Sequence, residues 1–369
     1  MRIGIDAREI CGQTTGVGRY LAGLLRQWAV TARAHEFVLY APDTLDIPLD
    51  ARRFPTRVIP GSAGTWWEQM RLPAAVASDR VDVFFAPAYT APLRLAAPIV
   101  VTIHDVSYVA HPEWFRLKEG MRRRLFTRAS ARRAHTVITV SEFSKREITE
   151  LLGVPAAKVR VVPQGIDTLV PAAARRAAAD RSGSGDAPRP RILYVGSIFN
   201  RRRVPDLIRA VALLARRHPE VTLDLVGSNR TFPFEDIAQM IELHVPNGRA
   251  RWHQYASDAD LRELYARARA FAFLSEYEGL GMTPLEAVAV GVPPVVLETP
   301  AARETLGDAA VYAPVDPDIP AIVRALETAL FDEGARAKVL AAAPAALGKY
   351  DWRRAADTTL RVLEEAGGN

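Results

Sequence analysis

The sequence predicts an α/β protein built from two Rossmann-like, doubly wound parallel-sheet domains of similar size. Three observations predict it. Short apolar segments alternate with helical segments along the chain, the alternation stops at Pro171–Pro190 and then restarts, and 369 residues exceed what one hydrophobic core usually organises. Because ligands of such sheets bind beyond the carboxyl ends of the strands, we expect the two domains to face each other across a cleft.

The first half of the chain contains seven segments that predict strands. Each is short and rich in apolar, often β-branched, residues: Arg2–Asp6, Glu36–Ala41, Arg57–Ile59, Val81–Ala86, Pro98–His104, His135–Ser141 and Lys158–Pro163. Helical stretches lie between several of them, at Gly18–Ala34, Trp67–Ser78 and Ser144–Leu152. This alternation is typical of a parallel sheet covered on both faces, and we assign residues 1–170 to the first domain.

A change in composition separates the two halves. Pro171–Pro190 contains an alanine run and a serine–glycine stretch without apolar periodicity, which predicts an interdomain linker or loop. The alternation then restarts with strands at Arg191–Val195, Thr222–Val226, Ala270–Leu274 and Pro294–Leu297, and with helices at Asp206–Arg217, Pro284–Ala289, Ile319–Phe331 and Trp352–Glu365. We assign residues 191–345 to the second domain and residues 346–369 to a C-terminal helical tail.

Composition limits the classes of protein. The 48 basic and 42 acidic residues give a net charge of only +6, an excess that could serve nucleic acid, phosphorylated ligands or an anionic membrane surface. The single cysteine, Cys11, excludes an intrachain disulfide and a cysteine-based zinc site. No apolar run is long enough to span a bilayer, and the first residues do not read as a secretory signal. We therefore expect a cytoplasmic protein.

One segment, Arg116–Arg133, is strongly basic, with eight basic residues and one acid, Glu119. Apolar residues recur between them at helical spacing: Leu117, Met121, Leu125, Phe126 and Ala129. Such a helix is either a solvated face or a surface that lies on acidic lipid at the membrane. The pattern leaves both interpretations open.

The most informative segment is Ser275–Glu286, which follows a predicted strand and opens a helix. Gly279 and Gly281 permit a tight turn with exposed backbone amides. Thr283 is the predicted N-cap, and Glu286 three residues later completes a capping box. The helix start then offers a site for phosphate. As a structural alternative, the glutamate only closes the box and the glycines only turn the chain.

A second glutamate in this loop favours a ligand. Glu278 lies eight positions before Glu286. A carboxylate beside a phosphate site is unfavourable unless it faces hydroxyl groups, which donate hydrogen bonds to it readily. A ligand that carries both phosphates and hydroxyls, such as a nucleotide sugar, satisfies both requirements.

Another strand-end loop, Tyr194–Arg203, carries three consecutive arginines. A solvated run of charge is the structural alternative. Its position after a strand favours phosphate binding instead, because guanidinium groups bind phosphate oxygens in pairs. The candidates are the three arginines, Arg201, Arg202 and Arg203.

The remaining candidates lie at other strand ends or carry aromatic rings. A glycine pair after the first strand is by itself a β–α turn, and because it does not spell G-x-G-x-x-G it lends little support to a nicotinamide site. A strand-end histidine is more often structural than catalytic, and aromatic rings that could stack on sugars also fill cores. These candidates are Gly16, Gly18, His104, Asp105, Trp66, Tyr89 and Tyr255.

These motifs together resemble glycosyltransferase family 4, whose members are retaining enzymes with the two-domain GT-B fold. Glu278 through Glu286 matches that family's E-x7-E motif. The resemblance implies that Glu278 contacts the donor sugar and that Glu286 contacts the ribose hydroxyls. It assigns the sugar and diphosphate to the backbone of Gly279, Leu280, Gly281, Met282 and Thr283. It also assigns a phosphate-binding role to Arg201 and to Arg202, with Ser197 in the same donor-binding loop. Because Arg202 stands where lysine is usual, it stays open whether Arg202 or Arg203 reaches the phosphate.

The resemblance extends to the rest of the chain. It implies an acceptor-binding first domain, a donor-binding second domain and a final helix that crosses back onto the first. In the first domain it places His104 beside the donor sugar and the loop containing Gly16 and Gly18 beside donor phosphate and acceptor. We assign Asp105, Trp66 and Tyr89 to the acceptor side, and Tyr255 lies near the expected base pocket.

We expect no metal or other cofactor. Asp258-Ala259-Asp260 spells the D-x-D of metal-dependent transferases, yet it opens a helical pattern, so helix capping is the better interpretation. The charge of the leaving group would instead be stabilised by Arg201, Arg202 and the helix start.

The segments most resemble mannosyltransferase-type members that build bacterial surface polysaccharides. This implies retaining transfer of a hexose, with GDP-mannose as the leading donor, to a glycan or polyprenyl-linked glycan. Such an acceptor would give Arg116–Arg133 a role at the inner membrane face, and no nucleic-acid partner is expected. The alternatives are an epimerase-like nucleotide-sugar enzyme and a catalytically inactive nucleotide-sugar-binding protein.

Overall fold

The computed structural model describes residues 1–12, 16–167 and 190–368. Contacts divide the chain into two compact units, which we call unit 1 (Met1–Gly165 with Tyr350–Asn369) and unit 2 (Ile166–Lys349). The predicted linker at 171–190 lies outside the described residues except for Pro190.

Within the described part of unit 1, seven parallel strands form one sheet in the order β3-β2-β1-β4-β5-β6-β7. They are β1 Arg2–Asp6, β2 Glu36–Ala41, β3 Thr56–Val58, β4 Val83–Ala86, β5 Ile99–Thr102, β6 Thr136–Thr139 and β7 Val159–Val161. The order reverses between β1 and β4, and in a doubly wound sheet the loops at such a reversal point form a ligand crevice.

Helices cover both faces of this sheet. They are α1 Gly16–Thr31, α2 Leu72–Asp79, α3 Ser107–Ala110, α4 Leu117–Arg133 and α5 Glu142–Leu152, with a π-helical turn at Trp67–Arg71 before α2. In α1, Tyr20, Leu24 and Trp28 repeat every four residues and are fully buried. Residues at this spacing share one helix face, so they bury a continuous strip against the sheet.

Within the described part of unit 2, six parallel strands follow the order β10-β9-β8-β11-β12-β13. They are β8 Arg191–Val195, β9 Thr222–Val226, β10 Ala250–His253, β11 Ala270–Phe273, β12 Pro294–Leu297 and β13 Val311–Ala313. The helices are α6 Val204–Leu214, α7 Ile237–His244, α8 Asp258–Arg267, α9 Met282–Ala289, α10 Pro300–Leu306, α11 Ile319–Phe331 and α12 Glu333–Leu347. The sheet order again reverses beside its first strand, between β8 and β11.

The last helix, α13 (Trp352–Gly367), packs in unit 1 although it follows unit 2 in sequence. The indole of Trp28 in α1 donates a hydrogen bond to the carbonyl oxygen of Ala356 at 3.0 Å. The Trp352 ring lies directly against Gly23 and Gly165, where a side chain would overlap it. These contacts fix the chain terminus to the core of unit 1.

The predicted α/β class with two doubly wound parallel sheets is confirmed. In unit 2, however, strands β10 and β13 and helices α7, α10 and α12 were not predicted. Other differences are at element ends. The predicted strand Pro98–His104 is shorter, because β5 ends at Thr102. His104 and Asp105 therefore lie just beyond its carboxyl end. Helix α6 begins at Val204, two residues earlier than predicted, since Pro205 is suited to the first helical turn.

Candidate active site

In unit 2, the loops that follow β8 and β11 meet. These strands are neighbours in the sheet, so their carboxyl ends lie side by side. The backbone amide of Glu276 donates to the carbonyl oxygen of Arg201 at 2.9 Å. We call residues 196–203 the arginine loop and residues 274–281 the glutamate loop. The two loops thus form one surface, although Arg202 and Glu278 are 76 residues apart in sequence.

Arg202 and Glu278 make the central contact of this surface. The Arg202 Nε donates to Glu278 Oε1 at 2.8 Å, and the two side chains are only 14% and 19% exposed. The Ser275 hydroxyl donates to the same carboxylate oxygen at 2.8 Å. The guanidinium also donates to the carbonyl oxygen of Ser197 at 2.8 Å and lies 4.8 Å from the Phe273 ring centroid. Both charged groups are therefore held in fixed positions.

This arrangement keeps Glu278 ionised. Burial alone raises the pKa of the carboxyl, but the charges of Arg202 and Arg201, with hydrogen bonds from Arg202 and Ser275, outweigh burial and lower that pKa. Burial raises the pKa of neighbouring Tyr194 to about 12, so its hydroxyl stays protonated and donates to the carbonyl oxygen of Ser197 at 3.0 Å. The site thus presents a carboxylate that accepts hydrogen bonds, as a hydroxyl-binding group requires.

Arg203 has a different environment from Arg202. Its guanidinium lies 2.8 Å from Asp206, 3.2 Å from Asp316 and 3.5 Å from Glu276. Its backbone is in the left-handed region, with φ of 48°. Of the two arginines that the sequence left open, Arg202 is the one beside Glu278, whereas Arg203 is surrounded by carboxylates.

The predicted capping box at Thr283 is wrong. Helix α9 begins at Met282, its N-cap is Gly281 with φ of 79°, and no side-chain hydrogen bond caps it. The Thr283 hydroxyl is buried and has no hydrogen-bond partner among the described residues. Glu286 is the fifth helical residue and is buried, so it cannot close the first turn. Because no side chain caps this helix start, its first amides are open to an anion such as phosphate.

A small cavity lies beside Glu278 and the start of α9. It is lined by residues of the glutamate loop and of the segment after β12: Ser275, Glu278, Leu280, Gly281, Thr299 and Thr305. The Thr305 hydroxyl donates to the carbonyl oxygen of Leu280 at 2.8 Å and so braces the loop. The contribution of Thr299 and Thr305 to this cavity was not predicted from the sequence. Thr299 followed by a proline after a strand is a helix-start signal, and it could have indicated that helix α10 begins beside the site.

The other donor-site candidates of unit 2 take separate positions. Gly279 lies in the glutamate loop between Glu278 and Leu280. Tyr255 follows β10, two strands away from β8, and its side chain is 75% exposed. Asp260 forms a capping box with Ser257 at the start of α8, which confirms that Asp258–Asp260 caps a helix.

In unit 1, His104, Asp105 and Tyr89 lie together beyond β5. The Tyr89 hydroxyl donates to Asp105 Oδ2 at 2.9 Å, and its ring centroid is 5.6 Å from that of His104. The ring of Tyr20 also packs edge-on against His104, with 4.9 Å between the ring centroids. Tyr89 has φ of 59°, a conformation that costs non-glycine residues about 1–2 kcal/mol. The surrounding contacts therefore hold Tyr89 in a strained conformation. Strained residues cluster at functional sites, which is consistent with a functional role for this tyrosine.

His104 presents one defined nitrogen to ligands. Its Nε2 lies 3.0 Å from the Pro87 carbonyl oxygen, which can only accept, so the proton is on Nε2. Burial lowers the pKa of His104, and the Pro87 hydrogen bond and the charge of Asp105 only partly oppose this. The imidazole is therefore neutral, and its Nδ1 is an acceptor for a hydroxyl donor.

A buried ionic cluster at the end of β1 was not predicted. The Arg8 guanidinium lies 2.9 Å from Asp6 Oδ2 and also contacts Glu68. The Thr90 hydroxyl donates to Glu68 at 2.6 Å. Burial raises the pKa of Asp6 to about 6, Arg8 lowers it, and Glu68 raises it further. Nothing in the local sequence around Glu68 signals that it reaches Arg8, 60 residues earlier.

The last unit 1 candidates differ in exposure. Gly16 opens α1 and Gly18 is buried within its first turn, while residues 13–15 of the same loop lie outside the described residues. Trp66 is 67% exposed, whereas Trp67 belongs to the core. Across the described ranges, no helix combines the length and apolar character needed to cross a membrane.

Comparison with known proteins agrees with this architecture. Residues 14–170 match the model of Glycosyltransferase Family 4, and residues 177–345 match that of Glycosyl transferases group 1. The O-antigen chain mannosyltransferase B of Escherichia coli is 28% identical over 288 residues, which are 76% of this chain and 74% of that protein. The glycogen synthase of Mycobacterium tuberculosis is 29% identical over 270 residues, which are 72% of this chain and 62% of that protein.

Solved structures share the whole fold. HepE of Anabaena, determined with UDP and glucose, superposes with a TM-score of 0.76 at 20% identity, covering 99% of this chain and 100% of that one. WaaG, a glycosyltransferase of lipopolysaccharide biosynthesis, superposes with a TM-score of 0.75 at 17% identity, covering 98% and 99%. With two parallel-sheet units and a family match over most of its length, the chain belongs to glycosyltransferase family 4 and is a GT-B hexosyltransferase that uses a nucleotide-sugar donor.

Proposed function

We propose that this enzyme transfers mannose from GDP-mannose, with retention of anomeric configuration, to a hydroxyl group of a glycan or polyprenyl-linked glycan. The observation that carries the donor site is the contact between Arg202 and Glu278 beside the uncapped start of α9. Guanidinium groups and helix-start amides suit a diphosphate, and an ionised carboxylate suits sugar hydroxyls. Mannose is supported by the named activities of two relatives. One is the O-antigen chain mannosyltransferase B described above, and the other is a GDP-mannose-dependent mannosyltransferase of Mycolicibacterium smegmatis, 31% identical over 60% of this chain.

Each site residue has one role in this reaction. The acceptor oxygen bonds to the anomeric carbon on the face from which the diphosphate leaves, the bond between that carbon and the phosphate oxygen breaks, and the acceptor proton passes to the departing phosphate. Arg201, Arg202 and the amides of α9 stabilise the negative charge that develops, without a metal. Glu278 accepts hydrogen bonds from the sugar, and Glu286 accepts them from the ribose. In unit 1, the Nδ1 of His104 is the proposed hydrogen-bond acceptor for a hydroxyl of the acceptor or of the sugar.

The donor is identified by stabilisation. A ligand that binds only the folded protein at about 100 times its Kd raises the unfolding free energy by about 2.7 kcal/mol. We expect GDP-mannose to raise the melting temperature and UDP-glucose to leave it unchanged. Stabilisation by UDP-sugars and not by GDP-mannose would show that the donor is a UDP-sugar and refute GDP-mannose. Because no metal is proposed, EDTA should leave the turnover unaffected.

Glu278→Gln tests the assignment of the sugar-binding carboxylate. We expect turnover to fall at least about 100-fold, as for loss of one transition-state contact, with the fold intact. Glu276→Gln is the matched control, since Glu276 lies in the same loop but faces Arg203. Near-wild-type turnover in Glu278→Gln would refute the role. Release of GDP should require an acceptor, and release or epimerisation without one would instead support an epimerase-like enzyme.

We further propose that transfer serves polysaccharide biosynthesis at the cytoplasmic face of the membrane. A polyprenyl-linked acceptor would be held there by its lipid. A protein that reaches it must approach an anionic surface, for which the basic helix α4 is suited. Transfer to a short water-soluble acceptor should therefore be slower than transfer to the same glycan in vesicles.

A further inference from the structure

Helix α4 exposes an apolar strip and not only charge. Leu117, Met121 and Leu125, at successive four-residue steps, are 72%, 48% and 66% exposed. The side that packs on unit 1 consists of small residues, namely Gly120, Thr127, Ser130 and Ala131. Residues four apart lie on one helix face, so the three large side chains form a continuous strip in water. A contiguous apolar surface of this kind indicates a binding partner.

A second element extends this surface. The Arg122 guanidinium of α4 donates to the Thr65 hydroxyl at 2.6 Å, which joins the helix to the turn that precedes α2. The next residue in that turn, Trp66, is 67% exposed, and Met70, one helical turn later, is 56% exposed. We call the five side chains Trp66, Met70, Leu117, Met121 and Leu125 the docking strip.

Positive charge surrounds the docking strip. Five basic residues of α4 lie beside or between its apolar side chains: Lys118, Arg122, Arg124, Arg128 and Arg132. The acidic residue of this helix, Glu119, is paired with Arg123 at 2.7 Å. Of the five cations, Arg122 and Arg128 donate hydrogen bonds to uncharged oxygens, those of Thr65 and Leu151. The exposed face therefore combines large apolar side chains with cations that have no carboxylate partner among the described residues.

We propose that the docking strip inserts into an anionic lipid surface, where its apolar side chains reach the boundary between headgroups and acyl chains. Nucleic acid would match the arginines but leave five apolar side chains in water. An anionic lipid interface satisfies both, and tryptophan favours that interface. This deepens the proposed function, on which it rests for the lipid-linked acceptor, and it moves Trp66 from sugar stacking to lipid contact.

Vesicle sedimentation with the full chain tests insertion. We expect binding to phosphatidylcholine vesicles that contain about 30% phosphatidylglycerol and weak binding to phosphatidylcholine alone. L117Q/M121Q/L125Q should lower the partition coefficient at least about tenfold, since apolar contact is lost. Val30→Gln is the matched control, because Val30 is 69% exposed on α1 of the same unit. Arg124→Gln and Arg128→Gln should each lower it about fivefold.

Two further measurements distinguish insertion from purely electrostatic adsorption and from nucleic-acid binding. The fluorescence of Trp66 is obtained as the difference between wild type and Trp66→Phe, and brominated acyl chains should quench it. High salt should weaken vesicle binding without abolishing it. Absent quenching, equal binding by the triple variant, or displacement of vesicles by an oligonucleotide would overturn the proposal. Transfer to a water-soluble acceptor should stay unchanged in L117Q/M121Q/L125Q and in the two arginine variants, whose residues lie outside the proposed donor and acceptor sites. If wild type binds vesicles but transfers no sugar to any acceptor, the proposed function is contradicted while the lipid contact is supported.

Discussion

At the residue scale, Arg202 determines the state of Glu278. Without the guanidinium, burial raises the pKa of this carboxyl, because its main opposing charge is gone. We expect Arg202→Met to lower the unfolding free energy by about 2–3 kcal/mol near pH 8. The cost should be smaller near pH 5, because the raised pKa lets Glu278 take up a proton more readily as the pH falls. Arg202→Lys keeps the charge and should retain most of the stability with reduced turnover. Urea unfolding at both pH values measures this, and a penalty independent of pH would contradict it.

A second residue-scale prediction concerns Asp6. Burial raises its pKa in the folded state to about 6, above the ordinary value of 3.8. Because the folded protein holds this proton more tightly than the unfolded chain, Asp6 contributes to the free energy of unfolding below about pH 4. That contribution is lost as the pH rises through about 6. We expect this loss to reach at most about 3 kcal/mol and to be absent from Asp6→Asn, in which Arg8 keeps Glu68 as partner. Parallel pH dependence in both proteins, measured by urea unfolding between pH 4 and 7, would refute it.

At the element scale, helix α9 is flanked by two glycines with the same positive φ angle. Gly281 and Gly291 both have φ of 79°, and an added Cβ meets nothing within 4 Å at either position. Alanine at either should therefore cost about 1–2 kcal/mol through backbone strain alone. We expect Gly281→Ala also to weaken donor binding, while Gly291→Ala does not. Thermal unfolding with and without GDP-mannose distinguishes them, and equal donor affinity in both variants would argue against a phosphate site at this helix start.

The same helix shows which features the sequence can predict. Periodicity predicted a helix at Pro284–Ala289, and its C-terminal end is correct. The threonine-proline-x-glutamate pattern fits a capping box equally well, but the tight turn at Gly281 starts the helix earlier. A side-chain cap depends on the φ and ψ of the preceding loop, which the motif alone does not specify. The two glutamates were found because they lie eight residues apart in one short segment, whereas Glu68 was missed because its partner Arg8 is 60 residues away in sequence.

At the scale of the whole molecule, the alternation of strands and helices predicted both sheets, because a period of two or 3.6 residues is a local property. The strand order is not local, since β1 lies between β2 and β4 through crossovers that bring distant segments together. Once the strands were assigned, the site residues could be predicted, because ligands of parallel sheets bind beyond the carboxyl ends of the strands. The docking strip did not, because helical spacing identifies apolar residues but not which helix face packs on the sheet.

The C-terminal helix provides the last prediction, because α13 stabilises a unit that begins at the opposite end of the chain. A Cβ at Gly23 would lie 2.5 Å from the Trp352 ring, too close for the rigid indole. We expect Gly23→Ala to lower the unfolding free energy by about 1–3 kcal/mol. In a Trp352→Ala background, which is itself destabilised by the lost packing, the same substitution should cost almost nothing, since the overlapping ring is gone. Hydrogen exchange should become faster in β1, β4 and β5 while the strands of unit 2 keep their protection. An equal cost of Gly23→Ala in both backgrounds would show that its effect does not pass through Trp352.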